Sequence, residues 1–238
     1  MIPTGWLTAD CLAAASGSPP RARSIQLFRN GFVDRWLARA HPAFPALFFG
    51  PIAAAALAAS WRLLGPAEAL AAFLGGWLFF SLFEYALHRF VFHGDFPETL
   101  EGRVAWFLTH GYHHVYPNDA DRLVLPPLGS LPLAVLFLAA YLLALGQGVG
   151  LGAFAGTVAG YVVYDSVHYV LHHRQPRTAL GGWLRRYHML HHHSREESRY
   201  GVSSPLWDLV FRTYAPVRRA SRRTVASPSP ASGSRDPA

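Results

Sequence analysis

The chain has 238 residues, 21 basic and 14 acidic side chains, a formal charge of +7 and a single cysteine, Cys11. Its length points to one domain, and one cysteine excludes a disulfide scaffold, a zinc finger and a cysteine-ligated cluster. Charged residues make up only 15% and hydrophobic ones 51%, against roughly 25% charged in a soluble domain. That composition excludes a disordered chain and fits a membrane protein with sizeable polar loops.

Residues 1–42 are mixed and read as an N-terminal cytosolic segment, flexible over 16–20 and then rich in arginine (Arg21, Arg23, Arg29, Arg35, Arg39). They hold no charged stretch leading into an apolar one with a small-residue cleavage site, so no cleaved signal peptide is expected. Residues 43–215 contain four apolar segments, at 44–64, 67–92, 128–145 and 150–171. A span needs about 20 residues to cross roughly 30 Å of hydrocarbon, so each is long enough, the third only just. The connections at 65–66 and 146–149 are very short, which predicts two helical hairpins and an all-α, integral membrane fold with four transmembrane helices. Core helices of a soluble all-α protein would be shorter and carry more charge.

With four spans, the N-terminus, the loop between the second and third spans and the C-terminus share one side. All 21 basic residues are arginines, and only Arg62 lies near the opposite face. The positive-inside rule then makes the shared side, with both termini, cytoplasmic. The absence of lysine points to a GC-rich genome and so to a bacterial inner membrane. The arginines mix with Asp and Glu and form no recognisable recognition motif, so no nucleic acid partner is expected. Residues 216–238, rich in Pro, Ser and Arg, read as a disordered basic tail able to rest on anionic lipid.

Apart from His41, twelve histidines fall into four clusters: His88 and His93; His110, His113 and His114; His168, His172 and His173; and His188, His191, His192 and His193. One such cluster would be unremarkable at a membrane interface, but four at metal-ligand spacing in a short chain are not. The first and third end the second and fourth spans, and the others lie in the loop and C-terminal segment, so all four meet at the cytoplasmic face. Residues three and four apart share a helix face, which groups His110 with His113 and His114, His168 with His172, and His188 with His191 and His192. His173 and His193 are turned about 100° off those faces by the 3.6-residue repeat. His88 and His93 are five apart, which a helix end can accommodate. Ten imidazoles are too many for one ion. Two ions sharing them is the economical reading, and the spacing leaves open how the ten divide. Imidazole-rich sites suit Fe, Zn, Cu or Ni. Glu84 and Asp165 lie on the ligand side of their helices, suited to accept an imidazole N–H, and a carboxylate inside an apolar span is usually functional.

The clusters H-x-x-x-x-H, H-x-x-H-H, H-x-x-x-H and H-x-x-H-H resemble those of the fatty acid hydroxylase superfamily of membrane di-iron enzymes, which includes sterol desaturases. The stretches EYALHRFVFH, HGYHHVYPNDADRLVLPP, GYVVYDSVHYVLH and YGVSSPLWDLVFRTY resemble the fatty acid 2-hydroxylase branch, and the likeness covers roughly 67–216. The resemblance implies a cytosolic helical cap closing over a non-haem di-iron site, with zinc as a possible substitute metal. Such a site activates O2 with two electrons and inserts one oxygen at carbon 2 of a fatty acyl chain, carried as a free fatty acid or a sphingolipid. The matching ligands are His88, His93, His110, His113, His114, His168, His172, His188, His191 and His192. Many eukaryotic relatives carry a fused cytochrome domain. The first 42 residues are too short for one, so an external ferredoxin or cytochrome-type donor is expected. A sterol- or carotenoid-type hydroxylase, or a desaturase, on the same frame is the alternative. A metal transporter would instead place its ligands along a path at mid-membrane.

Overall fold

The computed structural model describes residues 3–194 and 197–217. Among them the secondary structure is helical, with one isolated bridge between Leu7 and Phe28. The helices are α1 (Ala9–Ala15), α2 (Gly50–Leu64), α3 (Pro66–Ala86), α4 (Leu100–Trp106), α5 (Tyr112–Val115), α6 (Pro127–His173), α7 (Ala179–His193) and α8 (Leu206–Val210). Wider turns prolong several of them: Pro45–Phe49 leads into α2, Leu87–Phe92 extends α3, and Phe107–Gly111 joins α4 to α5.

Three helical runs are long and apolar enough to cross a membrane: Pro45–Leu64, Pro66–Phe92 and Pro127–His173. Their large apolar side chains face outward, with Leu143 88% exposed, Leu47 75% and Val135 68%. A soluble bundle would bury such a surface, whereas lipid solvates it. The chain is therefore a membrane protein.

The 47-residue run of α6 is two helices in one, because Gly146 has φ +72° and ψ 177° and breaks it. The second half returns along the first: Tyr141 Oη lies 2.8 Å from Thr157 Oγ1, and Tyr161 Oη donates to the Leu125 carbonyl at 3.2 Å. The expected four-residue loop at 146–149 thus shrinks to one glycine. The α2–α3 connection turns in the same way on Gly65, at φ +93°. Both turns need the positive φ that other residues adopt only with strain.

α3 and α6 cross tightly on small residues. A Cβ on Gly156 would stand 1.9 Å from the Phe73 carbonyl oxygen, and one on Gly76 would stand 1.9 Å from that of Ala153. Close backbone approach of this kind is how helices pack where lipid supplies no hydrophobic drive.

A second core lies outside the long helices. Leu7, Cys11, Ile25, Leu27 and Phe28 pack on Val104, Phe107, Tyr112 and Tyr116, so the N-terminal segment is folded onto α4 and α5. The stretch at 16–20, read as flexible, is tied in: the Ser18 amide donates to the Ala13 carbonyl, and Tyr116 Oη donates to the Pro20 carbonyl at 3.1 Å. The predicted basic tail lies, beyond residue 217, outside the described residues.

Candidate metal centre

The ten histidines predicted as ligands assemble into two groups of five. One holds His88, His93, His110, His114 and His191, and the other His113, His168, His172, His188 and His192, with the ligand atoms of each group within 4.8 Å of one another. His173 and His193 stay outside both groups. Each helix contributes by its own geometry. At the end of α3 the turn is one residue wider than α-helical, and the His93 amide donates to the His88 carbonyl at 3.1 Å. That five-residue repeat puts His88 and His93 on one side, a common use of π turns at functional sites. On α5 and α7 the groups interleave: His114 belongs with His110 while His113 faces the other cluster, and His191 and His192 divide likewise. Helices α5 and α7 thus each serve both groups.

The donor atoms are all Nε2. Within the first group His88 and His110 are 3.2 Å apart, His110 and His114 3.0 Å, and His93 and His191 3.0 Å. In the second, His113 lies 3.0 Å from His192 and 3.1 Å from His168, and His188 lies 2.8 Å from His172 and 3.1 Å from His192. Two imidazole nitrogens about 2.1 Å from a common ion, at right angles, stand about 3 Å apart, so the spacing matches the edges of a coordination shell.

Two Nδ1–H groups are committed elsewhere. His88 donates to the Tyr200 carbonyl at 2.5 Å, and His191 to the Ser198 carbonyl at 3.1 Å. In a neutral ring this leaves the Nε2 lone pair facing the cluster, as a metal ligand requires. Burial, and then the neighbouring imidazoles, hold His110, His113 and His188 well below the usual histidine range. The same causes take His93 to about 4 and His114 to about 3. Ten neutral nitrogen donors in two buried groups fit two transition-metal ions.

Glu84 and Asp165 do not play the part expected of them, since among the described residues neither bonds an imidazole. Glu84 sits one turn deeper than His88 and accepts from the Val202 amide at 3.2 Å and Ser203 Oγ at 3.3 Å. Asp165 accepts from the Leu125 amide at 3.0 Å. Each carboxylate ties a loop to the end of a ligand-bearing helix. Through Glu84 the tied loop is the one whose Tyr200 carbonyl orients His88.

Sequence reasoning missed Asp208 altogether. It is fully buried and accepts from the amides of Tyr200 and Gly201 at 2.9 and 2.8 Å, and from Thr213 Oγ1 at 2.7 Å. It therefore shapes the loop that orients His88. The available signal was a lone carboxylate in the apolar run SPLWDLVF.

A cavity of about 560 Å³ adjoins both groups, lined by His110 of the first and His113 and His168 of the second, as well as by Thr157 and Val158 deep in the bundle. From His168 to Thr157 is eleven residues of helix, or roughly 16 Å at 1.5 Å per residue. Between them the wall is mostly apolar, with Phe49, Phe80 and Phe137 among its residues.

Comparisons with known proteins agree with this geometry. The chain is 39% identical over 150 residues to a dihydroceramide fatty acyl 2-hydroxylase of Arabidopsis thaliana, a match covering 63% of this chain and 62% of that one. It is 40% identical over 151 residues to the human fatty acid 2-hydroxylase, covering 61% of this chain and 40% of the human one. Among solved structures, full-length scs7p, of which only the hydroxylase domain is visible, superposes with a TM-score of 0.77 at 28% identity, covering 88% of this chain and 79% of that one. The chain thus spans less than two thirds of the length of these first two relatives. The fatty acid hydroxylase family model matches residues 73–213, a stretch that contains all ten clustered histidines, and the chain belongs to that family.

Proposed function

We propose that the protein is an O2-dependent, non-haem di-iron hydroxylase that acts at carbon 2 of a fatty acyl chain, free or in a sphingolipid. The observation that carries this reading is the junction of two five-histidine groups with a deep apolar cavity, supported by the names of the relatives above. In this reading residues 43–215 form the membrane domain, with α6 crossing twice to make four spans. Helices α4, α5 and α7 form a cytosolic cap, and the metal groups sit where cap and spans meet.

The overall change is insertion of one oxygen atom into a C–H bond while the other leaves as water, with two electrons and two protons consumed. Iron held by the two five-histidine groups would activate O2 for this step, chemistry that no side chain provides. The histidines contribute neutral Nε2 lone pairs, and the protons stay on Nδ1 of His88 and His191, where backbone carbonyls hold them. Phe49, Phe80 and Phe137 exclude water and hold the acyl tail along α6. That fixes which carbon lies beside His113 and His168. Four of the ligands, His93, His114, His172 and His192, are only partly buried. This leaves the cap side of the site open to a soluble ferredoxin or cytochrome-type donor, while the substrate enters from the bilayer.

The test is a fatty-acid profile by mass spectrometry from cells expressing the protein, with His191→Ala as control. The expected result is a 2-hydroxy acyl species that appears only with the unaltered chain. Unchanged acyl chains, with another lipid gaining 16 mass units or losing two, would assign a different reaction to the same site.

A further inference from the structure

The family match begins at residue 73, yet the cavity beside the metal centre is closed partly by residues well before it. Leu27, Phe28 and Ala38 line it together with His110 and His113. These three residues are themselves buried. They belong to a segment anchored at several points to the stretch that follows the α5 ligands. Asp34 and Arg122 form a buried ion pair, with Arg122 Nη2 2.8 Å from both carboxylate oxygens. Arg122 Nη1 donates to the Ala38 carbonyl at 2.7 Å, and the Ala40 amide to the Asp121 carbonyl at 2.8 Å. The free lone pairs of Asp34 are also used: Oδ1 accepts from the Leu27 and Phe28 amides at 2.7 and 3.1 Å. One carboxylate therefore fixes the backbone of two cavity-lining residues and joins it to Arg122. Arg122 in turn lies over the ring of Tyr112, 5.5 Å from its centroid, between the ligands His110 and His113 in the chain.

A segment that only covered the surface would not need a desolvated ion pair. Separating the two would leave an unpaired buried charge, so the pair holds this segment in one geometry against Arg122. We propose that residues 27–38 are a wall of the active-site cavity, with Phe28 and Ala38 determining which acyl substrates fit and Asp34 positioning them against the metal-bearing frame. This rests on the hydroxylase reading above, since it takes the occupant of the cavity to be the acyl chain.

The experiment uses the full-length, metal-loaded protein in detergent and a spin-labelled C16 fatty acid as probe. Binding, metal per chain and, with a reductant and O2, KM and kcat are measured. Ala38→Leu projects into the cavity and is expected to weaken probe binding about tenfold, with metal per chain unchanged. Phe28→Ala enlarges the cavity and is expected to shift the products towards bulkier acyl chains. Phe32→Ala alters an exposed ring of the same segment and is expected to change neither. Asp34→Asn is expected to raise KM at least fivefold with kcat per bound metal within twofold. A merely structural role would instead lower the yield of folded protein and leave KM alone. The wall is overturned if Ala38→Leu and Phe28→Ala bind the probe and select substrates as the unaltered chain does. If the unaltered chain itself binds no probe and hydroxylates no acyl chain, the hydroxylase reading fails and this inference fails with it.

Discussion

His113 and His191 sit in different groups, though each is one of several histidines in its own sequence cluster. Removing either imidazole takes one nitrogen from one five-membered set. Each alanine variant is therefore expected to lose about one metal ion per chain and all turnover while still inserting in the membrane. Elemental analysis beside product analysis checks this, and two retained ions in either variant would contradict the division. The protonation of these rings sets the acid limit. His93 titrates at about 4 and His114 at about 3, against an ordinary value of 6.5, because burial and then neighbouring imidazoles oppose a second proton. Below pH 6.5 the unfolded chain takes up protons that the folded chain refuses, so the stability these rings contribute is fully present above 6.5. It is lost as pH falls towards 4, and metal binding, which competes with the same protons, weakens in the same direction. Thermal midpoint and metal content measured from pH 7 to 4 should both fall over that window; flat profiles would show that the rings are not neutral ligands.

At the scale of elements, glycines set the geometry, and two of them separate turning from packing. Gly146 turns α6 with a positive φ and has open space around it, whereas Gly156 has a carbonyl where its Cβ would go. Gly146→Ala meets no neighbour but holds an alanine at φ +72° and ψ 177°, a region essentially confined to glycine, at roughly 1–3 kcal/mol. Gly156→Ala must push α3 and α6 apart, an overpacking cost of roughly 3 kcal/mol, and should displace His168 relative to His88. Both variants are expected to lower the thermal midpoint, but loss of metal is expected for Gly156→Ala alone. Equal metal loss would mean that the crossing is not what aligns the ligand helices. The hairpins were legible in the chain because Gly-containing breaks fall between long apolar runs. The grouping at α3 was not: His88 and His93 share a side only because the turn widens there, and nothing in HRFVFH announces a π turn.

For the whole molecule, the chain offers a clean way to read its orientation in the membrane. Its only thiol, Cys11, is fully buried, and burial pushes its pKa up to about 11, so it stays unreactive towards external reagents. Arg62→Cys and Arg177→Cys place exposed thiols at opposite ends of the bundle. The positive-inside rule expects the arginine-rich face to be cytoplasmic, so in sealed cells an impermeant maleimide is expected to label the first and spare the second. The reverse pattern would place the metal centre outside. Asp34 illustrates a tie that only the whole molecule explains. Burial alone would raise its pKa, but the Phe28 and Leu27 amides and the Arg122 guanidinium hold it below the usual carboxylate range. Its partner lies 88 residues away, so no local pattern could have paired them.

The sequence by itself determined the helical class, the apolar runs, the two hairpin turns and the ten histidines, because hydropathy, glycine and helical spacing act over a few residues and are written locally. Only the tertiary structure decided how those histidines divide, which carbonyls hold their Nδ1 protons, that Glu84 and Asp165 bind loops instead of imidazoles, and that the N-terminal segment closes the cavity. Each of these depends on contacts between residues far apart in the chain, whose distances follow from packing and not from spacing.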